Sequence, residues 1–271
     1  MERGAIVHAM REWNAATYHK VSDPQVEWGI PVLARLPLEG DEFVIDVGCG
    51  TGRLTEKLLE RLPRGRALAV DLSSNMIGVA REYLRGRFGT RVAFALADAA
   101  ALPVNGLASA IFSTATFHWV LDHDSLFRSL HTALKPGGRL IAQCGGTRNI
   151  ERVDRRCLAL MREPRFSPYF AGWSGPWNFA DAEATATRLR RAGFADVWTG
   201  VEYAPVLQPD AAAYREFVTN AVCRHHLSRL PDEALKDRFM SAVTDMAAGD
   251  NPPFELDYWR LNIDATKAWS A

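Results

Sequence analysis

The sequence predicts an α/β fold in which a mainly parallel β-sheet carries helices on both faces and has a helical cap insertion. Short apolar runs alternate with amphipathic helical stretches between Phe43 and Cys144, and glycine or acidic residues close the runs. Such alternation is typical of parallel sheets, because two parallel neighbours need a crossover connection that is usually helical. The run Phe43–Val47 has the continuous apolar character of a strand that is buried on both faces.

The core, residues 43–144, is expected to hold five strands with helices between them. Leu54, Leu58 and Leu62 recur at helical spacing after the first glycine turn, and Ser73 is suited to cap the next helix. The expected strands cover residues 43–47, 67–71, 92–96, 108–113 and 139–144, and expected helices cover residues 53–62 and 125–134. Ligands of parallel sheets bind beyond the carboxyl ends of the strands, so the residues that follow each strand form the candidate site.

The rest of the chain is expected to belong to the same single domain, residues 1–271. Residues 145–180 are rich in Arg, Pro and Trp and carry weak strand signals. Further helices are expected over 181–192, 211–227 and 232–248, and further strands over 195–203 and 256–263. We interpret 145–180 and 211–248 as substrate cap elements; ordinary peripheral packing is the alternative.

The balance of charged residues and the positions of the cysteines limit the kinds of partner that we expect. Lys+Arg and Asp+Glu both total 32, whereas binding along nucleic acid phosphates usually needs a basic face. We therefore expect a small-molecule partner and no nucleic acid. The four cysteines form no CxxC pair and the rings of His225 and His226 would point apart on a helix, so no metal site is expected. Without a long apolar segment or a secretory signal, we expect no membrane partner and a cytoplasmic location, while the oligomeric state stays open.

The sharpest signal is a glycine turn after the first strand, Gly48-Cys49-Gly50-Thr51-Gly52. Glycine lacks a Cβ, so the backbone can approach a ligand closely. A dinucleotide fingerprint, GxGxxG, would need a third glycine where Arg53 stands, and the Gly-Lys-Ser/Thr ending of a phosphate-binding P-loop is absent. The pattern GxGxG therefore favours a nucleoside without a pyrophosphate.

Two acids end the next two strand regions. Asp71 lies about 20 residues after the glycine turn, where a carboxylate can accept hydrogen bonds from ribose hydroxyls. Asp98 follows the third strand and is suited to accept from an exocyclic adenine amine. Each acid alone is also explained as a helix cap. Their order on successive strand ends favours a ligand site.

These motifs resemble the class I S-adenosylmethionine (SAM)-dependent methyltransferase family. VIDVGCGTG, ALAVDLS, LADAAALP and LKPGGRL match its glycine, ribose, adenine and post-catalytic motifs over roughly Phe43–Cys144. The resemblance implies a Rossmann-like methyltransferase fold, SAM as cofactor and S-adenosylhomocysteine as product. Ser109 replaces an acid that the family often has in the fourth strand, away from the reacting methyl. The resemblance implies these cofactor-binding residues: Asp46, which orients the loop or the methionine amine, then Gly48, Cys49, Gly50, Gly52, Asp71, Leu72, Met76, Asp98, Ala99 and Ser113.

Two further segments resemble the reactive end of such enzymes. After the fourth strand, His118 is a candidate general base, with Trp119 beside it at the substrate; the alternative is that both only wall the pocket. Before the first strand, residues 1–30 resemble an N-terminal lid, in which Trp13 and Tyr18 would contact cofactor or substrate. A surface helix with an apolar stripe is the alternative there.

The chain also resembles the trans-aconitate methyltransferase-like enzymes, through its Trp-Asn…Tyr start, PVLARLPL and ATFHWVLDHDSLFRSL. That resemblance implies a small-molecule acceptor and methylation at an oxygen such as a carboxylate, which needs no base at neutral pH. Methylation of carbon or nitrogen stays open, as does a SAM-binding protein without methyl transfer. Nucleic acid methylation is disfavoured by the neutral charge.

Overall fold

A computed structural model of the chain describes residues 23–269. The described chain forms two compact units. The first runs up to Thr147 and adds Asn178–Val201 and the segment from Leu261 onward, whereas the second comprises Arg148–Trp177 and Glu202–Arg260. The segments expected as cap elements fall largely in the second unit, and their capping role stays a prediction.

The first unit contains the alternating strands and helices that the sequence predicts. Its helices are α1 (Asp23–Ala34), α2 (Arg53–Glu60), α3 (Ser74–Phe88), α4 (His123–Ala133) and α6 (Ala182–Arg191). Its strands are β1 (Phe43–Val47), β2 (Arg66–Asp71), β3 (Val92–Leu96), β4 (Ala108–Thr114) and β5 (Leu134–Gly145), together with most of β6 (Phe194–Tyr203) and β9 (Trp259–Lys267).

These strands form one seven-stranded sheet in the order β3-β2-β1-β4-β5-β9-β6. The pairs β1–β2, β1–β4, β2–β3 and β4–β5 are parallel. The sheet is mixed only through an antiparallel edge. The chain order reverses between β1 and β4, which is the position where ligands of such sheets bind. The predicted α/β fold with a mainly parallel sheet is therefore confirmed.

Successive residues of β1 belong to different hydrophobic cores, because side chains alternate across a strand. Val44 packs in a cluster with Leu58 and Leu59 of α2. Ile45 packs in a second cluster with Leu126 and Leu130 of α4. All six side chains are fully buried. Helices therefore cover both faces of the sheet, and the carboxyl edge of the strands is left to bind a ligand.

The second unit is mainly helical. It contains α5 (Glu151–Met161), α7 (Ala211–Phe217), a π-helical turn over Val218–Val222, α8 (Arg224–Leu227) and α9 (Glu233–Ala248). Two short strands, β7 (Val206–Leu207) and β8 (Glu255–Leu256), form a separate antiparallel pair. Within residues 23–269, no helix combines the length and the apolarity that crossing a bilayer requires.

Several expected boundaries differ from the observed ones. The single helix predicted over 211–227 is divided by the π-helical turn, and the strand predicted over 256–263 is replaced by β8 and β9. The helix predicted over 125–134 begins earlier, at His123, because Asp122 caps it by accepting from the N–H of Ser125 at 3.0 Å. β5 also begins before the Pro-Gly-Gly turn, so the helix ends one residue sooner than expected.

Candidate functional site

The carboxyl ends of β1, β2 and β3 lie side by side. Val47 is paired with Val70, and Asp71 with Leu96. The N–H of Ala97 donates to the carbonyl of Asp71 at 3.0 Å, which brings the residue before Asp98 beside Asp71. The glycine turn and both predicted acids therefore meet at one edge of the first unit, which we call the glycine-loop edge (residues 46–52, 71–76 and 98–99).

The glycine turn adopts a conformation that only glycine tolerates well. Gly48, Gly50 and Gly52 all have positive φ, at 76°, 54° and 86°. A Cβ at Gly48 would lie 1.9 Å from the hydroxyl oxygen of Thr116, so the missing side chain lets the loop after β4 approach the turn. A Cβ at Gly50 would meet no atom of residues 23–269 within 4 Å. The turn thus offers open space in front of its backbone, as a ligand cradle requires.

Asp71 holds the glycine turn in place. Its two carboxylate oxygens accept from the backbone N–H groups of Gly50 and Ser73, at 2.9 Å each. A carboxylate accepts hydrogen bonds only, and these two tie the glycine turn to the end of β2. The contact of Asp71 with the ribose hydroxyls stays a prediction.

Asp46 lies inside the unit. Its side chain is buried and accepts from the hydroxyl of Thr55 at 2.6 Å, which ties β1 to the first turn of α2. Burial raises the pKa of Asp46 to about 7, helped by the nearby negative charge of Asp71 and opposed by the hydrogen bond from Thr55. This contact fits a role in orienting the loop, while a contact with the methionine amine stays a prediction.

The residues predicted at the adenine differ in their exposure. Leu72 is 40% exposed, whereas Met76 and Ala99 are buried. Asp98 caps the short helix Ala99–Ala101 by accepting from the N–H of Ala100 at 2.9 Å. Asp98 therefore performs the capping role that the sequence offered as the alternative, and its second oxygen is the one suited to an adenine amine. Met76 is placed as a packing residue of α3.

Cys49 and Ser113 are occupied by contacts within the fold. The buried hydroxyl of Ser113 donates to the carbonyl of Val47 at 2.7 Å and so joins β4 to β1. The buried thiol of Cys49 lies 3.6 Å from the carbonyl oxygen of Gly50. Both residues shape the end of β1, and their contacts with a sulfonium or a ribose stay predictions.

His118 lies in the short helix Phe117–Trp119, two residues after the threonine that touches Gly48. Its Nδ1 atom accepts from the backbone N–H of Gly145 at 3.1 Å. Burial, with a smaller effect of His123, lowers the pKa of His118 to about 3. The imidazole is therefore neutral at pH 7, and because Nδ1 accepts, its proton sits on Nε2. His118 therefore offers a hydrogen-bond donor, Nε2–H, and its catalytic role stays a prediction.

Sequence reasoning missed the residues that hold His118. The N–H of Asn178 donates to the carbonyl of His118 at 2.8 Å, and the side-chain amide of Asn178 donates to the carbonyl of Leu121 at 2.9 Å. The rings of Phe179 and Trp119 lie 5.7 and 5.2 Å from the imidazole. The contacts of Asn178 and Phe179 join residues about 60 positions apart, so no local motif signals them. Trp119 is thus placed beside His118, as expected.

Two predicted substrate residues, Trp13 and Tyr18, lie outside the described residues, as does most of the expected lid over 1–30. The lid stays a prediction.

Comparison with known proteins identifies the same region. A family model described as "Methyltransferase domain" matches residues 44–138. The chain is 35% identical over 189 residues to the trans-aconitate 2-methyltransferase of Methylobacterium nodulans, covering 70% of this chain and 67% of the relative. It is 33% identical over 248 residues to the enzyme of that name from Paracidovorax citrulli, covering 86% of this chain and 88% of the relative.

A solved structure shares the fold. The phosphoethanolamine N-methyltransferase 2 of Haemonchus contortus, in complex with S-adenosyl-L-methionine, aligns with a TM-score of 0.57 at 20% identity. The alignment covers 90% of this chain and 53% of that chain. The family match covers β1 to the beginning of β5, which includes the glycine turn, Asp71 and Asp98. The chain is therefore a member of the class I SAM-dependent methyltransferases, an enzyme that transfers the methyl group of SAM to a small molecule and leaves S-adenosylhomocysteine.

Proposed function

We propose that the acceptor is a small organic acid and that the enzyme methylates a carboxylate oxygen to give a methyl ester. Two named relatives act on trans-aconitate, and a polycarboxylate of this kind is the substrate class we assign. SAM supplies a methyl group on a positively charged sulfur, which an oxygen nucleophile displaces as the carbon–sulfur bond breaks. The acceptor carboxylate already carries the electron pair at neutral pH, so no proton has to leave it.

The protonation state of His118 carries this proposal. A phenol, an ammonium group or a carbon acid needs a base to remove a proton, and His118 is the titratable side chain next to the glycine-loop edge that suits the task by type. Its Nδ1 is bonded to the N–H of Gly145, and its low pKa keeps the neutral ring unprotonated at that atom. The remaining Nε2–H is a donor, which suits an acceptor carboxylate.

The other residues of the edge bind and position. The glycine turn would offer main-chain surface to the methionine and ribose parts of SAM, and the carboxylate of Asp71, which holds the turn, is the acceptor we assign to the ribose hydroxyls. Ser113 and Asp46 are engaged with Val47 and Thr55, so neither side chain is placed to remove a proton from an acceptor. Catalysis would then rest on alignment of two reactants, which can be worth about 7–11 kcal/mol in favourable cases.

The test is a comparison of acceptor classes with methyl-labelled SAM. Trans-aconitate, a monocarboxylate, a phenol and a primary amine are each incubated with the full-length protein. We expect trans-aconitate to give the highest kcat/KM and a product that releases labelled methanol on mild alkaline treatment, because esters hydrolyse and ethers and amines do not. A labelled product that resists alkali would overturn the proposal and point to nitrogen, carbon or phenolic oxygen.

A further inference from the structure

Three side chains of the second unit, all of types that can bind metals, lie outside the glycine-loop edge. Cys157, Cys223 and His226 offer ligand atoms that all lie within 4.8 Å of one another. Their exposed fractions are 0%, 0% and 1%, so the cluster is enclosed by the unit. We call these residues the thiol–imidazole cluster. Their spacing along the chain matches no zinc motif, which is why the sequence predicted no metal.

The backbone brings the three ligands to one place. Cys157 lies on α5, whereas Cys223 follows the π-helical turn and His226 lies on α8. Cys223 is the residue that precedes α8 and His226 is the third residue of that helix, so the short segment brings both ligands close together. A π-helical turn is a rare irregularity that is frequent at functional sites, and here it ends at the residue before Cys223.

The distance between the two sulfurs fits an ion between them. The Sγ atoms of Cys157 and Cys223 are 3.6 Å apart. Two thiolates bound tetrahedrally at about 2.3 Å from a zinc ion lie about 3.8 Å apart. A disulfide, in contrast, needs the sulfurs at about 2.05 Å. The two side chains therefore lie close to the spacing that a shared metal ion requires.

His226 supplies a buried nitrogen that the protein does not satisfy. Its Nδ1 atom has no hydrogen-bond partner among the described residues. The ring packs between Trp173 and Trp177, with centroids at 4.9 and 5.3 Å, and against Phe170 and Phe239. These rings fix the imidazole without offering it an acceptor, and an unpaired buried polar atom is costly. A metal ion at Nδ1 would remove that cost, and an apolar shell is usual around such sites.

We propose that the thiol–imidazole cluster binds one thiolate-preferring cation, and that Zn²⁺ is its occupant. Two thiolates and a neutral imidazole balance the charge of Zn²⁺, which matters in an enclosed site. Binding releases the two thiol protons to solvent and involves no change of oxidation state. The ion would link α5 to the α7–α8 segment and so stabilise the second unit.

Full-length protein with the affinity tag removed tests the site. After chelation, it is titrated with Co²⁺ as a spectroscopic probe of the zinc site, and the purified protein is assayed for zinc. We expect about one Zn²⁺ per chain, together with a thiolate-to-Co²⁺ charge-transfer band and the visible bands of tetrahedral Co²⁺. Cys157→Ser and Cys223→Ser should weaken Co²⁺ binding by at least about 100-fold. Cys144→Ser, which removes an equally enclosed thiol of the first unit, should leave binding unchanged.

His226→Phe guards against misfolding of the cysteine variants, because it keeps an aromatic ring among the four aromatic neighbours and removes the ligand nitrogen. SAM binding by calorimetry and the far-ultraviolet spectrum report that each variant is folded. Zinc-free protein without a charge-transfer band would overturn the proposal. So would a band that survives in folded His226→Phe and in the cysteine variants, or two thiols lost to oxidation with no metal bound. Binding of Cu⁺ in place of Co²⁺ and Zn²⁺ would overturn the assignment of the ion.

Discussion

The hydrogen bonds of Asp46 and Asp71 at the glycine-loop edge span fewer positions of the sequence than the contacts of Arg156 and Cys157 in the second unit. At the edge, the N–H of Gly50 reaches an acid 21 positions away, and Thr55 reaches Asp46 over 9 positions. In the second unit, Cys157 and Cys223 are 66 positions apart, and Arg156 pairs with an acid 94 positions away. Cofactor recognition is thus encoded in short motifs, whereas the features of the second unit arise only when distant segments pack together.

The two regions also differ in whether backbone groups or side chains form their main contacts. At the glycine-loop edge, main-chain N–H groups make the decisive contacts, and the absence of side chains at Gly48 and Gly50 is what the site needs. In the second unit, side chains make the contacts, as in the ion pair of Arg152 with Glu255 at 3.2 Å. Substitutions should therefore act through backbone conformation in the first region and through lost partners in the second.

The largest effect is expected from Gly48→Ala. The added Cβ would lie 1.9 Å from Thr116, and φ of 76° is unfavourable for any residue with a side chain. Left-handed strain of about 1–2 kcal/mol and overpacking of about 1–3 kcal/mol should together lower the free energy of unfolding by about 2–5 kcal/mol. Urea unfolding measures it.

Gly50→Ala is the matched control, since its Cβ would meet no atom within 4 Å in the part of the chain that the structure describes. Gly50→Ala should lower the free energy of unfolding only by the left-handed backbone strain, about 1–2 kcal/mol. It should nevertheless weaken SAM binding, because the added methyl group enters the space of the ligand. Equal stability losses in the two variants would show that the approach of Thr116 does not decide the conformation of the turn.

Asp71→Ala should weaken SAM binding at least about 100-fold, since hydrogen bonds to a charged group are worth about 1.5–3 kcal/mol each and two hydroxyl contacts would be lost. The variant also releases the N–H groups of Gly50 and Ser73, so the turn should become more mobile. Calorimetry gives the affinity, and a circular dichroism spectrum shows that the fold persists. Unchanged affinity would remove Asp71 from the ribose site.

Asp46→Asn should change the pH dependence of stability. Burial raises the pKa of Asp46 to about 7 from an ordinary 3.8, so the folded state retains a proton that the unfolded state has lost between these values. The stabilisation from that proton is complete below about pH 4 and is lost as pH rises toward 7. As pH rises across this window, the free energy of unfolding of the variant should increase relative to that of the wild type by up to about 1.4 kcal/mol per pH unit.

Urea unfolding of both proteins at pH 5, 6 and 7 measures the difference. The Asn keeps an acceptor for the hydroxyl of Thr55, so the hydrogen bond is matched and only the titration is removed. A stability difference that does not vary with pH would mean that Asp46 ionises normally.

Much of the fold could be predicted because short apolar runs closed by turn residues define buried strands. β1 and β3 have the predicted limits, and β2 and β4 differ by one residue at one end. The glycine turn and Asp71 meet as expected, because parallel strands end at a common edge. The helix over 211–227 failed because a π-helical turn adds a residue to the helical repeat without Gly or Pro to mark it.

The surroundings of His118 could not be predicted for a different reason. Gly145 and Asn178 form hydrogen bonds with His118 through their backbone N–H groups. Because nearly every residue has such a group, the amino-acid types at these positions do not indicate the contact. The hydrogen bond from the N–H of Gly145 decides which nitrogen of His118 holds the proton. It therefore decides whether His118, which the sequence suggests as a base, is a hydrogen-bond donor instead. The residue type determines which chemical roles a side chain can have, and the hydrogen bonds of the surrounding backbone determine which of these roles it adopts.

His118→Gln should have the smallest effect. Glutamine offers an amide N–H donor but cannot titrate, so if His118 only donates to a carboxylate, kcat/KM for the acid acceptor should fall by less than about 10-fold. Its dependence on pH between 6 and 9 should match wild type. Loss of a general base would instead cost about 10²–10⁴-fold. Steady-state rates across this range, with His118→Phe as the variant that lacks any donor, separate the two roles. If kcat/KM is retained in His118→Gln and lost in His118→Phe, hydrogen-bond donation is established. Equal and severe losses of kcat/KM in both variants would instead support His118 as a general base.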